Sequence, residues 1–473
     1  MGSIKVGLFG IGLSTYWPQF PGLLERLEGY QEVIARRLQD DVVSIVNTGL
    51  VDTVDKARQA ADRFKQEDVS IIFLYVSTYA LSATVLPVVQ KAKVPVVILN
   101  MQPVAAIDYD WFNSLGDRGT MTGEWLANCQ ACAVPEIANV FNRAAIKFHV
   151  VSGTLNDEEA WQEIADWKEA AAVAAAMRHN RLGVLGHYYN GMLDIYSDLT
   201  LQAATFGGHI QHIEMCELAA FRHAVSAAET ARKVQQIREE MEVLDECPEH
   251  EVQRAAQTAV ALDKLAAHHQ LGSLCYYYEG TPDGEYEDLI ASVIAGNSLL
   301  TAHGIPVAGE YEVKNAQAMK IMDLFNAGGS FTEFYGMDFN EGIVLMGHDG
   351  PGHLAIAEGR PLLKPLGVYH GKPGKGLSIE MKVKHGPVTL LSVAETGTGK
   401  LKLLIAEARS VPGPILKIGN TNSRYQFPID IKSFVNNWSK AGPAHHCAIG
   451  VGHIAGKLEK LGEILGMETV RVC

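Results

Sequence analysis

The first third of the chain alternates continuous apolar runs with amphipathic stretches. Apolar runs predict buried strands at IKVGLFGIG, DVVSIVNTG, VSIIFLYVS and VPVVILN, and intervening stretches such as PGLLERLEGYQEVIARRL carry apolar residues at helical spacing. Continuous apolar strands separated by helices are typical of a parallel sheet that helices cover on both faces. The pattern therefore predicts a doubly wound α/β domain.

The same alternation restarts after an alanine-rich helical stretch that ends near residue 180. The run RLGVLG predicts a new strand, two charged helical stretches follow, and LGSLCYYYE predicts a further buried strand. Pro248 separates the two helical stretches and predicts the start of the second one. We therefore expect two α/β domains of the flavodoxin or Rossmann type, over residues 1–180 and 181–327.

Beyond about residue 328 the long helical patterns give way to short β runs between glycine and proline turns. The runs LSIEMKVK, VTLLSVAE, KLKLLIAEA and GPILKIGN predict strands, and a helix in HIAGKLEKLGEIL and a strand in ETVRV end the chain. This pattern is typical of an antiparallel sheet or small barrel. The predicted fold class is α/β, with two doubly wound domains followed by a β-rich, barrel-like domain over residues 328–473.

Composition and charge narrow the range of partners. The chain has 473 residues, 47% hydrophobic and 20% charged, which is ordinary for a globular protein of several domains. Its net charge of −14 would repel phosphate backbones and anionic lipid surfaces, so we expect no nucleic-acid or membrane partner. The chain starts without the charged and apolar regions of a signal peptide, and no apolar stretch is long enough to span a bilayer, so we expect a cytoplasmic protein.

Two local motifs have an ordinary explanation. Gly7, Gly10 and Gly12 follow the first strand with the spacing G-x-x-G-x-G, whereas the dinucleotide fingerprint is G-x-G-x-x-G. They predict a tight turn after the strand. Cys129 and Cys132 form a single C-x-x-C without the second pair that a zinc site needs, so they predict small buried side chains.

Stronger candidate chemistry lies in the second half of the chain. Glu310, Glu333, His348 and the pair His445 and His446 all have glycine-rich neighbours, which let loops present side chains to a ligand. Two carboxylates and two neutral imidazoles are suitable ligands for a divalent ion such as Mn²⁺, Co²⁺ or Mg²⁺. They leave two octahedral positions open for adjacent oxygens of a substrate. From the residues alone, surface carboxylates and core histidines remain the alternative.

Four short motifs lie in this region. In chain order they are Gly309, Glu310 and Lys314; Ser330, Phe331, Glu333 and Tyr335; Leu345 and His348; and Gly442, Ala444, His445 and His446. They resemble the motifs of the L-fucose and L-arabinose isomerase family, in its L-arabinose isomerase branch. The likeness is clearest over residues 300–353 and 441–455. Four motifs in the right order are more specific than any one of them.

The resemblance implies a metal-dependent aldose–ketose isomerase of carbohydrate metabolism, with Mn²⁺ as the expected ion and Co²⁺ or Mg²⁺ as alternatives. It implies that Glu310, Glu333, His348 and His446 are the metal ligands. Glu310 and Glu333 would also be the catalytic acid and base, because an enediol forms as a proton moves between C1 and C2 of an open-chain sugar.

The resemblance also implies a homo-oligomer, a trimer or hexamer, with the sugar site near a subunit boundary. Gln130, Met192 and His445 fall on positions that bind substrate. The chain departs from the arabinose pattern at Ala133, where a histidine is expected, and in HDGPGH, which begins at His348. Because an unpaired buried polar group costs about 1 to 3 kcal/mol, these departures argue against L-arabinose itself as the substrate.

Two other classes of function remain as alternatives. A sugar-binding or regulatory protein could retain the isomerase fold without turnover, but the presence of Glu310 and Glu333 argues against it. A nucleotide-dependent oxidoreductase would depend on the glycines after the first strand, whose spacing departs from the fingerprint. The sequence therefore favours the isomerase.

Overall fold

A computed structural model describes residues 4–369 and 372–473. The contacts within the chain divide it into an N-terminal unit, Met1–Ala175, and a C-terminal unit, Ala176–Cys473. The finer division into domains 1–180, 181–327 and 328–473 stays a prediction. Over the described ranges, no helix combines the length and the apolar character that crossing a membrane requires.

The N-terminal unit is built on a five-stranded parallel sheet. Its strands are β1 Ile4–Ile11, β2 Val43–Val51, β3 Ile71–Tyr75, β4 Val96–Gln102 and β5 Phe148–Thr154. Its helices are α1 Leu23–Leu38, α2 Val54–Gln66, α3 Leu86–Ala92, α4 Tyr109–Ser114, α5 Arg118–Ala127, α6 Gln130–Arg143 and α7 Glu158–Arg178, which runs past the division between the units. The strand order β2-β1-β3-β4-β5 is that of flavodoxin. Every residue of β3 is buried, as expected where helices cover both faces of a sheet.

The first half of the C-terminal unit contains a four-stranded parallel sheet of order β10-β9-β6-β7. The strands of this half are β6 Arg181–Gly186, β7 His209–Ile213, β8 Glu242–Val243, β9 Ser273–Tyr277 and β10 Val307–Ala308. Its helices are α8 Leu199–Phe206, α9 Met215–His223, α10 Ala227–Glu240, α11 Glu249–His269, α12 Glu285–Ile290, α13 Ile294–Ala302 and α14 Val313–Leu324. Pro248 is the N-cap of α11, so the predicted helix start is confirmed.

The second half of this unit is rich in β structure. Its strands are β11 Gly328–Asp338, β12 Ile343–His348, β13 Leu362–Pro365, β14 Val368–Tyr369, β15 Lys372–Pro373, β16 Leu377–Glu380, β17 Gly386–Glu395, β18 Leu401–Val411, β19 Thr421–Gln426, β20 His446–Val451 and β21 Glu468–Arg471. Two helices, α15 Ile431–Lys440 and α16 Ala455–Leu465, accompany them.

Six of these strands form an antiparallel barrel. They follow the order β17-β20-β11-β12-β19-β18, and β18 pairs back with β17, so the sheet closes on itself. β21 extends the sheet by pairing in parallel with β18. The barrel core contains buried apolar residues of the strands together with those of α15. The predicted fold class, parallel α/β sheets followed by a β-rich barrel, is confirmed.

One sequence prediction for this region is wrong, and one helix was missed. The run GPILKIGN is not a strand, because Gly413 lies between two prolines at a φ of 142° and Leu416 and Ile418 are 45% and 64% exposed. Proline cannot donate to a β ladder, so an apolar run alone does not make a strand here. The helix α15 was not predicted, although its buried Phe434 and Trp438 lie four residues apart, as the face of a helix requires.

The C-x-x-C motif lies at the start of α6. Cys129 is buried, as predicted, whereas Cys132 is exposed. The prediction of a small buried side chain is therefore wrong for Cys132, which lies in the first turn of the helix and on its outward side.

Candidate active site

Strand pairing in the barrel brings Glu333 and His446 together. Glu333 lies on β11, directly opposite His446 on β20 and opposite Gly347 on β12, the residue that precedes His348. Residues directly opposite in an antiparallel pair have Cβ atoms about 4.5 to 5.5 Å apart. The register of three strands therefore collects residues that are far apart in the sequence.

Glu310 lies close to these barrel residues, although it belongs to a turn that follows the parallel sheet. It follows β10, and both Glu310 and Tyr311 have left-handed backbones, with φ of 56° and 60°. The turn is held by the backbone N–H of Tyr311, which donates to the carbonyl of Tyr276 at 2.9 Å, and by that of Glu312, which donates to Gly309 at 3.0 Å. Two adjacent non-glycine residues in this conformation are strained, and such strain is concentrated at functional sites.

The distances fit the donor atoms around a single ion. Nε2 of His446 lies 3.4 Å from Oε2 of Glu310, and Nε2 of His348 lies 3.9 Å from Oε1 of the same carboxylate. Ligands about 2.1 Å from an octahedral ion lie about 3 Å apart when adjacent and about 4.2 Å apart when opposite. Glu310, His348 and His446 offer donor atoms that all lie within 4.8 Å of one another, so they could hold one ion.

A second group of potential ligands shares His446 with the first. Glu333, His445 and His446 also offer donor atoms within 4.8 Å of one another. Nε2 of His445 lies 3.8 Å from Oε2 of Glu310 and 4.0 Å from Oε2 of Glu333. The four residues predicted to bind metal thus lie in one cluster with His445. Their roles as ligands, acid and base stay predictions.

His446 is oriented by a buried carboxylate. Its Nδ1 lies 2.5 Å from Oε2 of Glu312, and the two side chains are 0% and 1% exposed. Burial raises the pKa of Glu312 to about 8. Burial, followed by the charge of His445, lowers the pKa of His446 well below its usual value. Because Nδ1 faces Glu312, Nε2 is the nitrogen that faces Glu310, an arrangement typical of histidines that bind metals.

Aromatic side chains surround the cluster. The ring of Phe331 lies 4.5 Å from that of His348 and 4.3 Å from that of His446, measured between centroids. The hydroxyl of Tyr335 accepts a hydrogen bond of 2.9 Å from Nδ2 of Asn420. Burial, followed by the nearby charge of Glu333, raises the pKa of Tyr335 above its usual value. Phe331 therefore packs against two of the candidate ligands, and Tyr335 lies near a third, Glu333.

The predicted pocket residues Gln130 and Met192 lie in different units. Gln130 is fully buried in the N-terminal unit, where its amide donates to the carbonyls of Ser77 and Ala127 at 3.0 and 2.9 Å. Met192 is half-buried in the C-terminal unit, on the segment between β6 and α8. For both residues, substrate binding stays a prediction.

The sequence analysis missed two carboxylates at this site, Glu312 and Asp194. Oδ2 of Asp194 lies 2.6 Å from Nδ1 of His445. Burial alone would lower the pKa of His445, but the hydrogen bond and charge of Asp194 raise it above its usual value. The only sequence signals were proximity to residues already singled out, since Glu312 follows Glu310 by two positions and Asp194 follows Met192 by two.

The fold and the cluster together define a class of protein: one with parallel α/β sheets, an antiparallel barrel and a cluster of carboxylate and histidine side chains. Residues 328–468 match the family model of the L-arabinose isomerase C-terminal domain.

The chain is also similar over most of its length to curated proteins named L-arabinose isomerase. That of Herpetosiphon aurantiacus is 24% identical over 71% of this chain and 69% of its own length. That of Klebsiella pneumoniae is 25% identical over 63% and 61%, and that of Nocardioides sp. is 23% identical over 78% and 72%. The chain therefore spans about two thirds of the length of these relatives. The prediction of an L-arabinose isomerase-like chain is confirmed.

Proposed function

We propose that this protein is a divalent-metal-dependent aldose–ketose isomerase, an intramolecular oxidoreductase that acts on a small sugar. The observation that carries the proposal is the convergence of Glu310, Glu333, His348 and His446 in a chain similar to L-arabinose isomerases. The substrate is an open-chain aldose. The departures at Ala133 and after His348 favour a sugar other than L-arabinose.

The residues of the cluster fit a divalent cation. Carboxylate oxygens and imidazole nitrogens suit Mn²⁺ and Co²⁺, with Mg²⁺ a poorer match to the nitrogens. Among the described residues, the buried Nε2 of His446 has no hydrogen-bond partner, and it lies near Glu310. Glu310, Glu333, His348 and His446 would hold the ion, with Mn²⁺ our first choice. When bound, it would supply Lewis-acid stabilisation of negative charge on the sugar oxygens.

The two glutamates would move the protons. Conversion of an aldose to a ketose removes the hydrogen on C2 as a proton, adds a proton to C1 and transfers the hydroxyl hydrogen of O2 to O1. One of the two glutamates would take the C2 proton as a carboxylate, and the other, in its protonated form, would return a proton to C1. Glu310 and Glu333 have side chains 14% and 22% exposed, so they are shielded from bulk water but still open to a ligand.

The proposal is tested by removing divalent ions with a chelator, restoring Mn²⁺, and screening aldoses for ketose formation in D₂O by NMR. We expect turnover with exchange of the C2 hydrogen, lost on chelation and regained with Mn²⁺. Glu333→Gln should nearly abolish both the turnover and the exchange of the C2 hydrogen. Glu468→Gln serves as the control, because it is the same chemical change at an exposed position of the sheet that contains Glu333.

Two results would overturn the proposal. One is activity that is indifferent to chelation or to Glu333→Gln. The other is saturable sugar binding with no exchange at C2, which is the behaviour of a binding or regulatory protein that retained the fold.

On the same resemblance we propose a cytoplasmic homo-oligomer, a trimer or hexamer, with the sugar site near a subunit boundary. Analytical ultracentrifugation of the purified protein tests the assembly, and a monomer at micromolar concentration would contradict it.

A further inference from the structure

Asp194 makes two contacts with one histidine of the cluster. Its Oδ2 lies 2.6 Å from Nδ1 of His445 and accepts the backbone N–H of the same residue at 2.9 Å. One contact fixes the backbone of His445 and the other fixes the rotation of its ring. A carboxylate that accepts the Nδ1 hydrogen also sets which ring nitrogen faces the opposite direction.

The segment that carries Asp194 is itself held in place by a buried lysine. Lys314, on α14, is only 3% exposed, and its Nζ donates to the carbonyls of Asp194 at 2.5 Å and of Tyr196 at 3.2 Å. A buried ammonium group requires such acceptors. The position of Asp194 is therefore set by the same helix that follows Glu310.

The free edge of the His445 ring points toward the two glutamates. Its Nε2 lies 3.8 Å from Glu310 and 4.0 Å from Glu333, which is too far for a hydrogen bond to either carboxylate. An oxygen atom placed between these groups would come within reach of the ring. The side chain of His445 is 38% exposed, whereas that of His446 is 0% exposed, so His445 lies on the open side of the cluster.

We propose that Asp194 is a positioning residue: it holds His445 so that Nε2 faces the gap between Glu310 and Glu333 and hydrogen-bonds a hydroxyl or carbonyl oxygen of the sugar. Asp194 itself does not touch the substrate. The inference rests on the proposed function, because it names the residue that orients a predicted substrate contact of that same site.

The test compares Asp194→Ala, Asp194→Asn, His445→Ala and the double variant Asp194→Ala/His445→Ala. The matched control is Asp198→Asn, in the same segment, where the side chain caps α8 by accepting from the N–H groups of Thr200 and Leu201. For each variant, kcat and KM are measured with Mn²⁺ present, Mn²⁺ affinity is measured by calorimetry, and folding is checked by circular dichroism.

Asp194→Ala should lower kcat/KM by about 10- to 100-fold, as loss of an orienting carboxylate typically does, and change Mn²⁺ affinity by less than about twofold. Asp194→Asn should retain part of the activity, because its amide oxygen can accept the same hydrogen bonds. In the His445→Ala background, Asp194→Ala should add less than about a twofold loss, since coupled residues are not additive. The control should match the wild type.

Three results would overturn the inference: wild-type kinetics in a folded Asp194→Ala protein, an undiminished effect of Asp194→Ala when His445 is absent, or a loss of Mn²⁺ affinity as large as the loss of activity. The last result would instead indicate that His445 binds the metal. If the wild-type protein isomerises no aldose, the proposed function fails, and the inference is decided by whether Asp194→Ala and His445→Ala weaken calorimetric binding of an unreactive sugar alcohol equally. Should Asp194→Ala not fold, Asp194→Asn takes its place: its partial loss of activity should disappear in the His445→Ala background, and wild-type kinetics or a loss that persists in that background would overturn the inference.

Discussion

The turn after β1 in the N-terminal unit and the turn after β10 in the C-terminal unit both follow a parallel strand and both contain glycine, but only the second contains residues of the candidate active site. The predicted turn is wrong for Gly7 and Gly10, which lie within β1, and only Gly12 follows the strand. A Cβ added to Gly10 would lie 2.3 Å from Oε1 of Gln31, and one added to Gly12 would lie 2.7 Å from the ring of Trp17. These glycines make room for neighbouring side chains.

The turn after β10 has the opposite character. A Cβ added to Gly309 would meet Phe331 and His348 at ordinary distances of 3.6 and 3.8 Å, while the non-glycine residues Glu310 and Tyr311 adopt left-handed backbones. Buried ionisable groups from the barrel converge on this turn. The comparison teaches that strained non-glycine residues and convergent charges mark a site better than glycine spacing does.

The largest effect is expected for Glu310→Gln, a substitution in the turn after β10. Glutamine keeps the shape of the side chain but cannot exchange a proton, so turnover should fall by about 10² to 10⁴. The measurement is the rate of C2 hydrogen exchange by NMR, with the melting temperature as the control for folding. A rate within a fewfold of the wild type would remove Glu310 from the mechanism.

A smaller effect, a loss of Mn²⁺ affinity, is expected for Glu312→Gln, which alters the residue that orients His446. Weakening the acceptor at Nδ1 should lower the affinity for Mn²⁺ by about 10- to 100-fold. Calorimetric titration measures this affinity. The control is Glu380→Gln, another buried glutamate of the C-terminal unit, which pairs with Lys364 and belongs to neither group of potential ligands. Equal losses in both variants would show that the effect is general destabilisation.

Gly12→Ala tests the first turn. The added methyl group must displace Trp17, so the N-terminal unit should lose about 1 to 3 kcal/mol of unfolding free energy in urea. The affinity for Mn²⁺ should not change, because every candidate ligand lies in the C-terminal unit. A change in that affinity would mean that the first turn contributes to the site after all.

The smallest effect is expected at an ordinary surface carboxylate, Glu229. Hydrogen bonds from Lys264 and then from Ser226 lower the pKa of Glu229 to about 2 in the folded protein. Because the folded pKa is depressed, its stabilising contribution is present above about pH 4.5 and is lost as the pH falls toward 2. Urea unfolding of Glu229→Gln should show a deficit at pH 7 that shrinks at pH 3. A deficit independent of pH would contradict this.

The sequence predicted well those features that depend on neighbouring residues. The strands β3, β4 and β6 follow from continuous apolar runs, and the start of α11 follows from Pro248. GPILKIGN shows the limit, because its Leu416 and Ile418 are exposed and its backbone is set by prolines and a left-handed glycine.

The candidate site was only partly predictable for a related reason. Glu310, Glu333, His348 and His446 were singled out by motifs, but the partners of Asp194 and Glu312 lie 251 and 134 positions further along the chain. Contacts over such separations depend on the barrel register and on the turn after β10. Neither can be predicted from the local pattern of polar and apolar residues.

The most direct test of the central claim is the anomalous diffraction of a crystal soaked in Mn²⁺. The account predicts one strong peak within about 2.0 to 2.3 Å of carboxylate oxygens of Glu310 and Glu333 and of Nε2 of His348 and His446. No peak in the cluster, or a peak held by Glu333, His445 and His446 that leaves out Glu310 and His348, would contradict it.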